Sequence, residues 1–503
     1  MSIKRVKLMY TGTAVSNHVS TNKPTILNSA THNTSYHNIT PNDIQQIQLR
    51  LIDWYTINRR KLPWRGDTCE LIGAEDHGSK SHVDTMNVVS NQTQVTIPCS
   101  AYGTWISEVM LQQTRVDTVV QYWIRWMMKY PTIDTLANST IDDINMLWAG
   151  LGYYRRAKYI YDTAQLLHSQ YNNQLPDTLD DLLKLPGIGR YTAGAIVSIA
   201  YNKPAPIVDG NVIRILSRIR AIDITPDHKQ GNILIWKLSE QLVSTCDSPS
   251  RFNQGMMELG ATVCTTHSPL CHLCPVQSLC HAYHEVQHKQ RPINIPHNNV
   301  INNHEIITID DDDDDDSVHH DSTVNSSRSV DSPDLCSICD IERCHIPQSV
   351  TQYPRKSIKT KQLTEYYVCS VITRTKVDNH KQYMMIKRPD AGLLAGQYEF
   401  VCIPCDSDTN DNERQQLLYI MLCELLQYQG NDINSIVRER RYIGELSHVF
   451  SHRIHQMYID TIELMTECDI SSIQSRVRFV DVNDITSIPL TTGVKKILQL
   501  VNK

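Results

Sequence analysis

A chain of 503 residues has room for two or three domains, each with its own core. With 41% hydrophobic and 20% charged residues, a mean hydropathy of −0.35 and no apolar run near the roughly 18 residues of a membrane span, it reads as globular rather than membrane-embedded. The net charge of −6 argues at first against an anionic partner, but it is unevenly placed. Residues 1–42 carry +4 and residues 291–362 carry −6, the latter including seven consecutive aspartates at 310–316. Charge runs of that kind are solvated, so the total says little about the folded parts.

In chain order, residues 1–42 are rich in Ser, Thr and Asn, lack acids and begin with Lys4, Arg5 and Lys7. Mitochondrial presequences, short nuclear signals and disordered termini share this composition. From 43 to 290 apolar residues recur at spacings of three and four, as in Ile141, Ile144, Leu147 and Trp148, which predicts an all-α region. The polar stretch 67–100 reads as an inserted loop. Glu108 is an isolated acid among apolar neighbours, a setting that raises a carboxyl pKa, although a satisfied helix-terminal carboxylate has the same surroundings. Gly187 and Gly189 allow a tight turn whose following helix can face a phosphate, and Val208-Asp209-Gly210-Asn211-Val212 then opens a helix carrying Arg214, Arg218 and Arg220. Residues 185–220 are locally +4.

Fifteen cysteines, an odd number, fit a closed disulfide framework poorly, and seven of them cluster as metal ligands of a reducing compartment do. Cys264, Cys271, Cys274 and Cys280 have the spacing C-x6-C-x2-C-x5-C, which by itself leaves zinc and a cubane iron–sulfur cluster evenly matched. Residues 291–362 have the composition of a disordered connector. Within it, Cys336, Cys339 and Cys344, with His345 as a fourth donor, suffice for a tetrahedral zinc ion, the bland alternative being free cysteines. Residues 363–503 predict an α+β domain with strands at 366–372, 383–386 and 456–462 and helices at 413–428 and 493–502.

Five of these motifs stand in one order: Ser-Glu-Val-Met-Leu-Gln-Gln-Thr at 107–114, Gly-Leu-Gly-Tyr-Tyr at 150–154, Leu-Pro-Gly-Ile-Gly-Arg-Tyr-Thr-Ala-Gly at 185–194, Val-Asp-Gly-Asn-Val at 208–212 and the four-cysteine loop. Across 43–290 the chain resembles the MutY-type adenine DNA glycosylases of base-excision repair. The resemblance implies a helix-hairpin-helix glycosylase fold, a structural [4Fe–4S] cluster on the four cysteines, and an enzyme, expected as a monomer, that cleaves adenine opposite 8-oxoguanine or guanine in double-stranded DNA. It makes Glu108 the general acid, Asp209 the carboxylate that stabilises the oxocarbenium ion, and Tyr191 and Asn211 positioning residues. Gln113 and Tyr153 become wedges in the base stack, Gly187, Gly189 and Arg190 DNA contacts, and Arg65 a residue of the adenine pocket. The neighbours Arg155, Arg156 and Lys158 favour a DNA-facing turn around Tyr153. Residues 363–503 resemble the family's Nudix-like domain, without a metal-binding Nudix box, and Phe450, Ser451 and His452 match its 8-oxoguanine loop. Relatives carry a connector zinc site, with the wider cysteine gap on the other side of the C-x2-C, and dock a sliding clamp and an abasic endonuclease there. The basic, acid-free start of the chain is the ground for expecting a nuclear or mitochondrial location, without fixing which.

Two other functions share parts of this pattern. An endonuclease III-like glycosylase/lyase carries lysine at the position of Tyr191, so tyrosine disfavours it. A catalytically silent damage-sensing protein is disfavoured by the presence of both Glu108 and Asp209.

Overall fold

The computed structural model describes residues 32–71, 93–288, 336–339, 347–356, 362–376, 380–389, 396–428, 435–450, 453–465, 476–485, 488 and 490–502. Most of the 67–100 insertion, the aspartate run, Cys344, His345, Ser451 and His452 lie outside the described residues. Up to residue 288 the chain is helical: α1 (Pro41–Asn58), α2 (Ala101–Leu111), α3 (Val116–Lys129), α4 (Ile133–Ala137), α5 (Ile141–Trp148), α6 (Arg155–Gln170), α7 (Leu179–Leu182), α8 (Arg190–Ala195), α9 (Gly210–Ile219), α10 (Lys229–Ser244), α11 (Pro249–Thr262) and α12 (His281–His288). Thr40, Ser100, Thr140 and Thr178 start their helices by accepting a hydrogen bond from a first-turn N–H. The insertion begins and ends in an antiparallel pair, β1 (Cys69–Leu71) with β2 (Thr93–Val95).

The helices divide into two packed halves. Trp105, Trp123, Trp126 and Trp148, all fully buried, centre the half built from α2 to α8. Ile47, Leu51, Leu216, Leu242 and Phe252 centre the half built from α1 and α9 to α11. The chain crosses between them through α8, a π-type turn at Ile196–Ala200 and the extended segment that ends at Asp209. Gly194 on α8 lies directly against the carbonyl oxygen of Pro206 in that segment, so a Cβ there would overlap backbone. Two further segments dock on the second half. Tyr36 and Tyr353 donate to the two oxygens of the buried Glu285 (2.8 and 2.7 Å), and Arg355 forms a bidentate pair with Asp223.

The C-terminal region is a mixed sheet of β3 (Leu363–Thr375), β4 (Lys381–Lys387), β5 (Tyr398–Glu399), β6 (Val401–Cys405), β7 (Val437–Val449), β8 (Arg453–Leu464) and β9 (Val477–Asp481), with helices α13 (Asp411–Leu426) and α14 (Thr492–Val501). β3 pairs in parallel with β8, and β7 runs antiparallel to β8 at the edge. Alternate residues of β3 face opposite layers: Val368 and Ile372 pack with α13, and Cys369 and Val371 with α14. Cys369 and Cys402, directly opposite in the β3–β6 register, are joined as a disulfide, a pairing across 33 residues that sequence spacing does not reveal.

Gly194→Ala is expected to lose about 1–3 kcal/mol of stability in denaturant unfolding while keeping its helical content, because the added methyl must displace backbone rather than a mobile side chain.

Candidate active site

The seam between the two helical halves is a cavity of about 600 Å³. Glu108 enters it from α2, Tyr191 from α8, and Asp209 and Asn211 from the start of α9. Glu108 is 5% exposed and accepts a 2.6 Å hydrogen bond from the Tyr191 hydroxyl. Burial pushes its carboxyl up to about 7, with Tyr191 opposing the shift and the nearby charge of Asp209 adding to it. Asp209 caps α9: one oxygen accepts from the Val212 N–H (2.8 Å) and the other from the Asn211 amide (2.7 Å). Burial raises Asp209 as well, against these hydrogen bonds and Arg214. The two carboxyls therefore differ in kind: one buried and bonded by a phenol, the other a helix cap bonded by amides. Burial beside two carboxylates raises the Tyr191 hydroxyl well above its usual value, so it remains a donor.

Asn211 connects the site to the cysteine loop. Its side-chain oxygen accepts from Arg214 (2.7 Å), and Arg214 also donates to the carbonyls of Gly260 (2.7 Å) and Cys264 (2.8 Å). Arg218 donates to the Cys264 sulfur (3.2 Å) and to the Thr265 carbonyl (2.8 Å). Cys264, Cys271, Cys274 and Cys280 line one small cavity with Arg218. Burial pushes the Cys274 thiol up to about 12, so a bound cationic centre is what would make thiolates of this set.

Arg65 reaches the cavity paired with Glu258 (3.0 Å), which Arg60 also holds through its side chain (2.7 Å) and backbone N–H (2.9 Å). Burial lifts Glu258, but the two arginines outweigh it and keep the carboxyl below its ordinary range. Glu258 is 1% exposed and escapes a motif-based reading. Its signal is a lone acid within the apolar run Met256-Met257-Glu258-Leu259.

Gln113 and Tyr153 lie in the turns after α2 and before α6, with left-handed backbone (φ 55° and 47°). Tyr153 is 45% exposed and not a core residue, unlike its buried neighbour Tyr154. Gly187 also has positive φ (70°), and a Cβ there would meet the Tyr159 side chain. Arg190 stacks on Trp236 (3.9 Å). Several basic residues do not lie where sequence proximity suggests. Arg218 and Arg220 are buried, and Arg156 points inward rather than to solvent, leaving Arg155 exposed.

In the connector, Cys336 and Cys339 meet His32 and His37 from the N-terminal segment, with all four donor atoms within 4.8 Å of one another. The His37 Nδ1 pairs with the Arg220 carbonyl (2.8 Å), which leaves Nε2 facing the sulfurs of Cys336 (3.4 Å) and Cys339 (3.3 Å). In the C-terminal domain Phe450 sits at the end of β7, between the rings of His448 and His455, and its N–H donates to the Arg453 carbonyl (2.8 Å) to close the hairpin.

A model of the HhH-GPD superfamily of base excision DNA repair proteins matches residues 106–241, and a NUDIX domain model matches 376–500. Fold and site thus define a helix-hairpin-helix base-excision repair protein with a Nudix-like C-terminal domain. The adenine DNA glycosylase of Mus musculus is 32% identical over 91% of this chain and 78% of its own length. That of Homo sapiens is 31% identical (90% and 73%), and that of Schizosaccharomyces pombe 33% (85% and 83%). The chain belongs to the adenine DNA glycosylase family.

The raised Glu108 pKa makes a prediction about stability. A carboxyl whose folded value exceeds its free value contributes stability that is intact below about pH 4.5 and is lost as pH rises through about 7. Glu108→Gln removes this titration, so denaturant unfolding is expected to show the variant gaining up to about 3 kcal/mol over the native chain between pH 4.5 and pH 8.

Proposed function

We propose that the chain is a monofunctional glycosylase that removes adenine opposite 8-oxoguanine or guanine in duplex DNA. The observation that carries this reading is the convergence of Glu108, Tyr191 and Asp209 on one cavity. A base inside the duplex is out of reach, so the adenine enters by flipping. It leaves with positive charge developing on the sugar, which calls for an acid at the base and a negative charge near C1′. Glu108, titrating near neutrality, supplies the proton to N7, and Asp209, fixed as a helix cap, stabilises the cation. Tyr191 orients the acid. Lyase chemistry needs an amine, and no lysine lines the cavity among the described residues. Arg65 and Glu258 offer donors and an acceptor at the cavity wall for the edge of the base. Gln113 and Tyr153 enter the stack vacated by the adenine. Phe450, Ser451 and His452, which follow β7 in the chain, read the opposite base.

Two metal groups fit different donor sets. Four thiols around one cavity suit a [4Fe–4S] cluster, which when bound ties the loop together. Donors gathered within 4.8 Å suit a single zinc ion held by His32, His37, Cys336 and Cys339, a set that does without Cys344 and His345. The Nδ1 contact of His37 is the outer support such a ligand needs.

In single-turnover assays on duplexes with adenine opposite 8-oxoguanine, strand breaks are expected only after alkali treatment, with a rate that falls as pH rises through about 7. Glu108→Gln and Asp209→Asn should each lose more than about a thousandfold in rate and still bind the duplex; a fully active variant of either defeats the assignment. Elemental analysis of the purified chain should give about four iron and one zinc. His37→Ala should lose the zinc and keep the iron, whereas zinc retained in full there would reject this ligand set.

A further inference from the structure

The structure assigns Arg156 as the positioning residue that sets the two stack-entering turns at a fixed separation, an inference that rests on the reading of Gln113 and Tyr153 as wedges. Arg156 is the second residue of α6 and only 7% exposed. One terminal nitrogen, Nη1, donates to the carbonyls of Val109 (2.8 Å), Met110 (2.9 Å) and Gln112 (2.7 Å), which are end-of-helix acceptors of α2 and its turn. The other, Nη2, donates to the Gly152 (3.0 Å) and Leu151 (3.4 Å) carbonyls and to the Thr114 hydroxyl (3.3 Å). Nε reaches the Tyr153 carbonyl (3.4 Å), and the guanidinium lies over the rings of Trp148 (5.1 Å) and Tyr153 (5.5 Å). One planar cation therefore bonds the residues on both sides of Gln113 and also Tyr153 with the two residues before it, and Gln113 and Tyr153 are 40 positions apart in the chain.

Its surroundings indicate why the cation is there. No ion pair involves Arg156 among the described residues, and burial draws its pKa down to about 10, where it is still charged at neutral pH. Burying an unpaired charge is costly, and seven carbonyl and hydroxyl contacts offset that cost only while both turns keep their shape. Both turns carry a non-glycine residue with positive φ, a conformation that surrounding structure must impose. Val109 follows Glu108, so the same cation also ties the acid's helix to the wedges. Lysine, with a single donor atom and no planar fork, cannot span the two turns.

A double-mutant cycle on the full-length, iron-loaded protein tests the assignment. The probe is a duplex with 2-aminopurine in place of the target adenine opposite 8-oxoguanine, whose fluorescence reports extrusion. Arg156→Lys and the pair Gln113→Ala/Tyr153→Ala are each expected to reduce the extrusion equilibrium roughly tenfold, and the triple variant should be no worse than twofold below the pair. Multiplied losses in the triple variant, or Arg156→Lys within twofold of the native chain, would overturn the positioning role. If the wedge pair is silent while Arg156→Lys is not, the wedge reading has failed, and the coupling through it falls too. Should Arg156→Lys not fold, Thr114→Val removes one acceptor and is read in the same cycle, with a loss of about threefold expected and additivity again overturning the role.

Discussion

The active seam depends on one hydrogen-bonding choice: Asp209 both caps α9 and presents its carboxylate to the cavity. A capping side chain has a fixed backbone conformation and direction, so the position of this charge is set by helix geometry rather than by a mobile rotamer. The capping residue is also the junction of the two helical halves, which places it opposite Glu108 from the other half. Through Asn211 and Arg214 the same carboxylate is braced against the Gly260 and Cys264 carbonyls. The four-cysteine loop is thus part of the scaffold that aims Asp209.

Three arginines of the helical region work inside it. Arg156, Arg218 and Arg220 all bond backbone carbonyls, Arg220 those of Tyr36 and His37. Burial lowers Arg156 and Arg220 to about 10, which leaves both charged. Local excess of arginine along the chain therefore measures internal fastening as much as phosphate contact. Some other cations of the helical region pair with acids, as Lys158 does with Asp162 and Lys203 with Asp177. Adherence to undamaged DNA is accordingly expected to be modest.

Much of the site was legible in the sequence because its residues lie in short, rigid motifs: a capped helix start at Asp209, a glycine turn at 187, an acid embedded in the apolar α2. The missing parts are those that depend on long-range contact. Glu258 becomes meaningful beside Arg60 and Arg65, nearly 200 residues away, and His32 and His37 become donors when a connector some 300 residues later folds beside them. β7 escaped because it is a charged, largely exposed edge strand, whose sequence looks like surface loop. The basic residues misled for the opposite reason: spacing on a helix says which side chains share a face, and nothing about whether that face is wet.

The docking of Tyr353 and Arg355 on the helical core has a mechanical meaning. It moves the effective end of the connector from residue 288 to residue 356, so the β-sheet domain is leashed by the few residues up to Leu363. However those residues are arranged, their fully extended reach is about 25 Å. A sheet domain on so short a leash samples a small volume around that docking point, which raises its local concentration near the helical core far above that of a separate molecule. Proteolysis between 356 and 363 would cut that leash, whereas cutting the connector between 289 and 335 would leave the sheet domain attached through the docked segment.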